Sequence, residues 1–365
     1  MPPLKFLRVD VLNSQMFRQD RSWRGLACLG AVSVLLALAF HLPACATPGT
    51  TIEPREVHEW LMRIHNAASQ RNFQGTFVVS SPGSVSSARI SHFYEGADQF
   101  ERIEPLEGPA RQVFRHNGIV HTVWPVERVT LVEQRDVLNS FPSLLLDGDD
   151  RITDFYDVQA QKGERVAGHD ANVLMLKPRD EYRYSYRLWA ERQSGLLLRV
   201  EILNALGEVL EVSAFSDVSI GVRSQPDIVL QPMRKLAGYR VIKPTLQPTA
   251  LEVEGWELRK TVTGFRQLSC VRRPLEVLQA PDGKAATAAS PQPIPAVQTI
   301  FSDGITYVSI FIEPFNAERH PRPVVTVVGA TQTMMSRRGD FWVTVVGDVP
   351  VVTLRAFTTA LDRRK

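Results

Sequence analysis

The sequence has little cysteine, with three residues in a chain of 365. Cys28 and Cys45 both lie within residues 1–46, where an apolar run followed by small residues is typical of a cleaved secretory leader, so a chain without this leader keeps only Cys270. A single cysteine excludes an intramolecular disulfide. A secreted chain of this kind must be stabilised by ordinary hydrophobic cores, and roughly 320 residues after processing predict two domains.

The sequence also lacks the motifs of the common secreted hydrolases. It contains no Gly-x-Ser-x-Gly elbow, and His58-Glu59 is followed next by His65, which is the wrong spacing for a His-Glu-x-x-His zinc motif. His116 and His121 flank a predicted hairpin, but two histidines are too few for a metal site. We therefore expect no catalytic residues, no metal and no cofactor. A secreted hydrolase with an unrecognised site stays as an alternative.

An excess of charge is missing once the first 46 residues are set aside. These hold five basic and two acidic side chains, and the rest of the chain has 37 of each. The overall net charge of +3 is therefore no argument for nucleic-acid binding. Charge is uneven along the remainder: residues 47–221 have 25 acidic and 18 basic side chains, and residues 222–365 have 12 and 19. We expect the basic half to contact an acidic peptide or an anionic lipid head group.

The start of the chain is typical of a secretory leader. Three arginines precede the uncharged apolar stretch 25–40, and the small residues Ala44-Cys45-Ala46 follow it. This order predicts a signal peptide over residues 1–46 and a periplasmic location. Three alternatives stay open: an uncleaved membrane anchor, acylation of Cys45 within Leu42-Pro43-Ala44-Cys45, and initiation at Met16 instead of Met1.

The following pattern predicts one helix and then many strands. Apolar residues recur at three- and four-residue spacing over residues 53–70, which predicts an amphipathic helix with Thr51 as its N-cap. Short β-rich runs then continue to residue 221, and Asn117-Gly118 predicts a two-residue hairpin. We expect a curved, mostly antiparallel sheet folded around the helix, with aromatic side chains lining an apolar cavity. The candidate cavity residues are Phe77, Phe93, Phe100, Trp124, Tyr184 and Tyr186.

The second half of the chain predicts a linker and a smaller domain. Four prolines between residues 222 and 249 interrupt the strand pattern and predict the linker. New β-rich runs predict a second domain over residues 250–365, closed by a helix near residues 350–361. Within that domain, residues 280–295 are rich in proline, alanine and serine, which predicts a disordered insert.

A series of sequence runs remains, and its order along the chain is informative. The runs are Phe73-Gln74-Gly75-Thr76-Phe77, Ser91-His92-Phe93-Tyr94-Glu95-Gly96, Glu101-Arg102-Ile103-Glu104-Pro105, Tyr184-Ser185-Tyr186-Arg187-Leu188-Trp189, Phe301-Ser302-Asp303-Gly304 and Val345-Val346-Gly347-Asp348-Val349-Pro350. In number and order they resemble the MucB/RseB family of periplasmic sigma-E regulatory proteins. The resemblance covers nearly the whole chain after the leader, although the insert and the long N-terminal tail depart from the family pattern.

The resemblance implies a fold and a function. The implied fold is α+β and mostly antiparallel, with two domains. The first, over residues 47–221, is a lipid-sensing domain with the fold of the lipoprotein carriers LolA and LolB, which is an incomplete barrel around helices. The second is a smaller β-rich domain that binds an anti-sigma factor. The implied function is negative regulation of an extracytoplasmic stress response, by protecting the periplasmic domain of a membrane-anchored anti-sigma factor from proteolysis until lipid or lipopolysaccharide releases it. A periplasmic lipid or lipoprotein carrier is the alternative, and a homo-oligomer stays open. The candidate contacts with the partner are Arg234, Lys235, Arg240, Lys243, Arg337 and Arg338.

Overall fold

The computed structural model of the chain describes residues 50–134, 151–275, 294–320 and 322–364. The predicted leader, with Cys28, Cys45 and the two candidate initiators, lies outside these residues. The predicted disordered insert also lies outside them up to residue 293. Its last two residues, Ile294 and Pro295, begin a strand.

Helix α1 (Pro54–Gln70) forms where the apolar spacing predicts it. Thr51 is not its N-cap, contrary to the prediction. Glu53 occupies that position without a side-chain cap hydrogen bond, and Pro54 sets the backbone of the first turn. Thr51 instead lies in a short strand opposite Gln159. The buried face of α1 consists of Val57, Leu61, Ile64, His65, Ala67 and Ala68.

Thirteen strands form the first sheet. In chain order they are β1 (Thr50–Thr51), β2 (Phe73–Ser81), β3 (Ser84–Glu95), β4 (Asp98–Pro105), β5 (Gln112–His116), β6 (Ile119–Trp124), β7 (Val129–Gln134), β8 (Tyr156–Val166), β9 (His169–Pro178), β10 (Ser185–Glu191), β11 (Leu197–Leu203), β12 (Val209–Ile220) and β13 (Arg240–Ile242). Their order in space is β1-β8-β9-β10-β11-β12-β2-β3-β4-β5-β6-β7-β13. The sheet has two edges, at β1 and β13, and is therefore open. The predicted hairpin at Asn117-Gly118 is confirmed, because His116 lies opposite Ile119 and Asn117 has a φ of 51°.

The two faces of this sheet pack against different helices. The inner face, which packs against α1, carries the main core with Phe77, Ile90 and Leu188. The opposite face packs against helix α3 (Asp227–Arg234), whose Val229 joins a separate cluster with Phe93 of β3 and residues of β4 to β6. A short helix, α2 (Ile152–Phe155), precedes β8. Alternation of side chains along each strand separates the two clusters.

A smaller second sheet contains seven strands. They are β14 (Gln247–Pro248), β16 (Arg266–Leu275), β17 (Ile294–Ser302), β18 (Tyr307–Pro314), β19 (Val324–Val328), β20 (Thr331–Arg338) and β21 (Phe341–Gly347). Their order in space is β14-β16-β17-β18-β21-β20-β19. The terminal helix α4 (Val351–Ala360) confirms the prediction near residues 350–361 and packs on β20 and β21. Strands β15 (Trp256–Leu258) and β22 (Leu361–Arg363) form a separate pair.

The predicted fold class is confirmed: the chain is mostly antiparallel β, with few helices, an open first sheet and a smaller second sheet. The stretch 222–249, predicted as a linker in which the strand pattern stops, contains α3, β13 and β14. Strand β13 runs parallel to β7 and extends the first sheet. No helix in the described part of the chain is long and apolar enough to cross a membrane.

Candidate functional site

The two sheets meet at a buried ion pair between Arg183, which precedes β10, and Asp303, which follows β17. The Nε of Arg183 donates to Oδ2 of Asp303 at 2.7 Å, and both side chains are fully excluded from solvent. Asp180 forms a second ion pair with Arg183, and the carbonyl of Thr263 accepts from its Nη2 at 2.6 Å. Charges this deep are costly to bury without partners, so each member of this pair depends on the other where the two sheets meet.

The carboxylate of Asp303 also organises its own loop. Its Oδ1 accepts the backbone N–H groups of Ile305 and Thr306, each at 2.9 Å. Its Oδ2 accepts the hydroxyl of Tyr156 at 3.0 Å. Burial, together with the neighbouring Asp303 charge, raises the pKa of Tyr156 well above its usual value, so this hydroxyl stays protonated and donates.

Aromatic rings and a glycine complete the enclosure of Arg183. Its guanidinium lies 4.5 Å from the ring centre of Phe155 and 5.0 Å from that of Phe265. Gly264 has a φ of +80°, and a Cβ at that position would overlap the Arg183 guanidinium and lie 2.9 Å from Cε1 of Phe155. Only glycine fits this loop where it crosses the guanidinium.

Further hydrogen bonds extend the junction along β10. The Nε2 of Gln332 donates to the Tyr184 hydroxyl at 3.2 Å, and the Tyr186 hydroxyl donates to the carbonyl of Asp348 at 3.5 Å. Between β16 and β7, Nη2 of Arg273 lies 3.1 Å from Oε1 of Glu133. Contacts therefore join the two sheets at more than one place.

A row of buried polar side chains crosses the inner face of the first sheet. His92 lies opposite Glu101, and Glu101 lies opposite Arg115, on strands β3, β4 and β5. All three are less than 7% exposed. Burial lowers the pKa of His92 to about 4 and raises the pKa of Glu101. The neutral ring of His92 donates from Nδ1 to the carbonyl of Arg71 at 2.9 Å and stacks on Phe73.

The six predicted cavity residues do not all lie together. Phe77, Tyr184 and Tyr186 belong to the main core, whereas Phe93 and Phe100 belong to the cluster beneath α3. Tyr184 and Tyr186 lie at the domain junction, and Trp124 is half-buried at the end of β6. Their role as ligand contacts stays a prediction.

An open cavity of about 700 Å³ lies beside α1, and none of the six predicted residues lines it. Its walls combine apolar and charged side chains. Met62 and Ala67 contribute apolar surface, Arg63 and Arg71 contribute positive charge, Glu59 contributes negative charge, and most of the remaining lining is polar. Nη2 of Arg63 also donates to the carbonyl of Gln193 at 2.7 Å, which joins α1 to the turn between β10 and β11.

The predicted partner-binding residues are all exposed, and they fall into two groups. Arg337 and Arg338 end β20, where Arg337 stacks 4.0 Å from the ring centre of Phe315 and Arg338 donates to the carbonyl of Thr358 at 2.8 Å. The other group lies between the end of α3 and the residue after β13 and consists of Arg234, Lys235, Arg240 and Lys243. Their role in binding stays a prediction.

Sequence reasoning missed the Arg183–Asp303 pair. Its partners are separated by 120 residues, and no local spacing relates them. The only available signal is that Asp303 and Tyr184 lie in two of the ordered runs described above. Among the residues that the structure describes, no group of three or more histidine, cysteine or acidic side chains is placed to hold a metal ion.

Comparison with known proteins matches the chain to two family models. Residues 56–234 match the MucB/RseB N-terminal domain, and residues 250–362 match the MucB/RseB C-terminal domain. The sigma factor AlgU regulatory protein MucB of Pseudomonas aeruginosa is 29% identical over 317 residues, covering 84% of this chain and 90% of that protein. The sigma-E factor regulatory protein RseB of Escherichia coli K12 is 24% identical over 326 residues, covering 87% and 92%. A crystal structure of MucB in complex with MucA(peri) matches with a TM-score of 0.60 and 26% identity, covering 84% of this chain and 98% of that one.

Proposed function

The chain belongs to the MucB/RseB family, and from that premise we propose that it binds the periplasmic domain of a membrane-anchored anti-sigma factor. In this role it is a negative regulator of an extracytoplasmic, sigma-E-type stress response. The observation that carries the proposal is the match, across both sheets, to a MucB chain solved in complex with MucA(peri). Family members named as sigma factor regulatory proteins support the same role.

The geometry supports a protein that holds a partner without transforming it. The buried Arg183–Asp303 pair and the Glu133–Arg273 contact join the two sheets. We propose that the joined sheets cover a segment of the anti-sigma factor and thereby block its cleavage by a protease. Binding alone suffices for such protection, so the proposal includes no catalytic activity.

The proposal also includes the location and the domain division. A periplasmic partner requires a periplasmic binding protein, and the basic and apolar runs of residues 1–46 suit a leader for export. The predicted division gives a first domain over residues 47–221, a linker over 222–249 and a second domain over 250–365, although α3 and β13 attach residues 227–242 of that linker to the first sheet. The basic side chains at the end of β20 are proposed contacts with the partner.

Protease protection tests the proposal directly. The purified chain would be mixed with the purified periplasmic domain of the anti-sigma factor from the same organism, and complex formation measured by calorimetry. We expect a one-to-one complex and slower proteolysis of the anti-sigma domain in proportion to occupancy. Absence of binding at both low and moderate salt would contradict the proposed function.

A second candidate function is lipid binding, either as the signal that releases the partner or as cargo of a carrier. The observation that favours it is the open cavity of about 700 Å³ beside α1, with its apolar and arginine lining. If lipid is the signal, anionic vesicles or lipopolysaccharide should dissociate the complex with the anti-sigma domain. If the chain is a carrier, it should transfer a labelled lipid to acceptor vesicles, and failure to do so would exclude the carrier role.

A further inference from the structure

Strand β19 forms an exposed edge of the second sheet. It is the last strand in the spatial order, beyond β20. Its sequence is Val-Val-Thr-Val-Val, and Val325, Val327 and Val328 are 47%, 59% and 43% exposed. Within the described ranges of the chain, no strand pairs with its outer side. Sheet edges are usually protected by charged side chains, bulges or prolines within the strand, and β19 contains none of these.

The hairpin geometry defines which backbone groups β19 offers. Gly329 and Ala330 form a two-residue turn, with Val328 opposite Thr331 and a φ of 59° at Gly329. The residues flanking such a turn form a hydrogen-bonded pair, and such pairs alternate along the hairpin. Val328, Thr326 and Val324 therefore bond to β20. The N–H and C=O groups of Val325 and Val327 point to the open side.

A positive cluster lies at the start of β19. Arg322 is exposed two residues before the strand, with Pro323 between them, and Arg337 lies on the neighbouring strand two residues beyond the Val324–Met335 pair. Arg338 follows it and is also exposed. An added strand would therefore meet uncharged valines along its length and positive charge at one end. This combination favours a segment with apolar residues at alternate positions and acidic residues at that end.

The size of the edge favours a peptide over a second copy of the chain. Five residues of antiparallel strand extend about 17 Å. Pairing two such edges buries far less than the roughly 1,600 Å² typical of a stable interface between two folded proteins. A flexible segment gains main-chain hydrogen bonds at the edge while other contacts of the same partner add affinity.

We propose that β19 accepts an extended, acidic-ended segment of the anti-sigma factor's periplasmic domain as an eighth strand of the second sheet. This inference rests on the proposed function and names the contact through which the second domain contributes to binding of the anti-sigma factor. Hydrogen bonds form at Val325 and Val327, the alternate side chains of the segment pack beside these valines, and its acidic end lies at Arg322 and Arg337.

Three variants distinguish a loss of strand addition from the effect of substituting any exposed valine in the second domain. Val325→Pro removes an outward N–H that β20 does not use, and edge positions of this kind tolerate proline. Val327→Lys places a charge on the open edge. Val253→Lys is the matched control, because Val253 is 75% exposed in a turn of the same domain. Far-ultraviolet circular dichroism and the melting temperature establish that each full-length variant is folded. If either edge variant fails to fold, Arg322→Glu replaces it, since that side chain lies outside the strand.

Binding would be measured by calorimetry with the purified periplasmic domain of the anti-sigma factor from the same organism. We expect the two edge variants to bind about tenfold more weakly, equivalent to about 1.4 kcal/mol, and the control to change less than about twofold. Arg322→Glu should weaken binding more at low salt than at high salt. Hydrogen exchange of the Val325 and Val327 amides should slow when the domain is added.

Each other outcome would overturn the inference in an identifiable way. Equal binding by wild type and both edge variants would refute strand addition and leave the proposed function intact. No binding by the wild type would refute the proposed function and the inference together. A dimer in sedimentation experiments that Val327→Lys dissociates would show that a second copy of the chain occupies the edge instead.

Discussion

Replacing Asp303 by alanine tests whether a buried ion pair holds the two domains together. The substitution leaves the fully buried guanidinium of Arg183 without its main counter-charge, and it leaves the Tyr156 hydroxyl without its acceptor. Removing one partner of a buried ion pair costs about 3–5 kcal/mol. Asp180, with 24% side-chain exposure, still faces Arg183 and offsets part of this loss. We therefore expect the free energy of unfolding to fall by about 3 kcal/mol, at the lower end of that range.

Urea denaturation of the full-length chain measures this effect. Trp189 reports on the first sheet, and Trp256 and Trp342 report on the second domain. Loss of the junction should separate one joint unfolding transition into two, with the second domain unfolding at lower urea. The matched control is Asp157→Asn, because Asp157 pairs with Arg179 at 2.8 Å but both side chains are half-exposed. That variant should lose less than about 1 kcal/mol.

A double variant distinguishes the ion pair from simple loss of packing. Arg183→Met combined with Asp303→Leu removes both charges and keeps apolar volume, so most of the lost stability should return. If Asp303→Ala loses no more stability than Asp157→Asn, the pair does not hold the junction and the reasoning is refuted. If the double variant is as unstable as Asp303→Ala, the loop hydrogen bonds of Asp303 matter more than its charge.

Three further measurements test other buried groups. Acidification from pH 7 to 5 should destabilise the wild type through His92. The pKa of this side chain is about 4 in the folded chain and about 6.5 in the unfolded chain. Between these values only the unfolded state binds the proton, so acid favours unfolding. The His92→Gln variant should lose about 2 kcal/mol less over that change in urea titrations, and an equal loss would contradict the mechanism. Gly264→Ala should lower the melting temperature by several degrees more than Gly207→Ala. Both positions have a φ of +80°, but only a Cβ added at position 264 would have neighbours within 4 Å. Equal shifts in melting temperature would exclude the clash. Cys270, a buried thiol with its pKa raised to about 11, should react with a disulfide reagent at pH 8 only after urea unfolding, and rapid labelling of the folded chain would disprove its protection.

Local pattern predicted most of the elements. The apolar spacing of α1 depends only on residues within the helix, so the sequence predicts where the helix lies. The predicted start at residue 53 is one residue early. The turn at Asn117-Gly118 follows from backbone freedom at two adjacent residues. The N-cap prediction at Thr51 is wrong because pairing with β8 extends the backbone there, and Pro54 starts the helix later.

The parts of the site that depend on assembly were not predictable from pattern. Alternation along a strand shows that Phe93 and His92 face opposite sides, but not which side packs on α1 and which on α3. For the same reason Phe77 and Phe93 were grouped as lining one cavity, whereas the structure places them in separate clusters. The junction of Arg183 with Asp303 arises only when two sheets meet, so no window of the sequence contains it.

The pairing of β13 with β7 shortens the tether between the domains. Residue 242 belongs to the first sheet and residue 247 to the second, so only residues 243–246 connect them. From residue 242 to residue 247 such a connection extends at most about 18 Å. If the junction opens, the second domain therefore remains at an effective concentration on the order of millimolar relative to the first. A ligand held by both domains would dissociate in two steps, and rebinding to the domain it has just left would compete with escape.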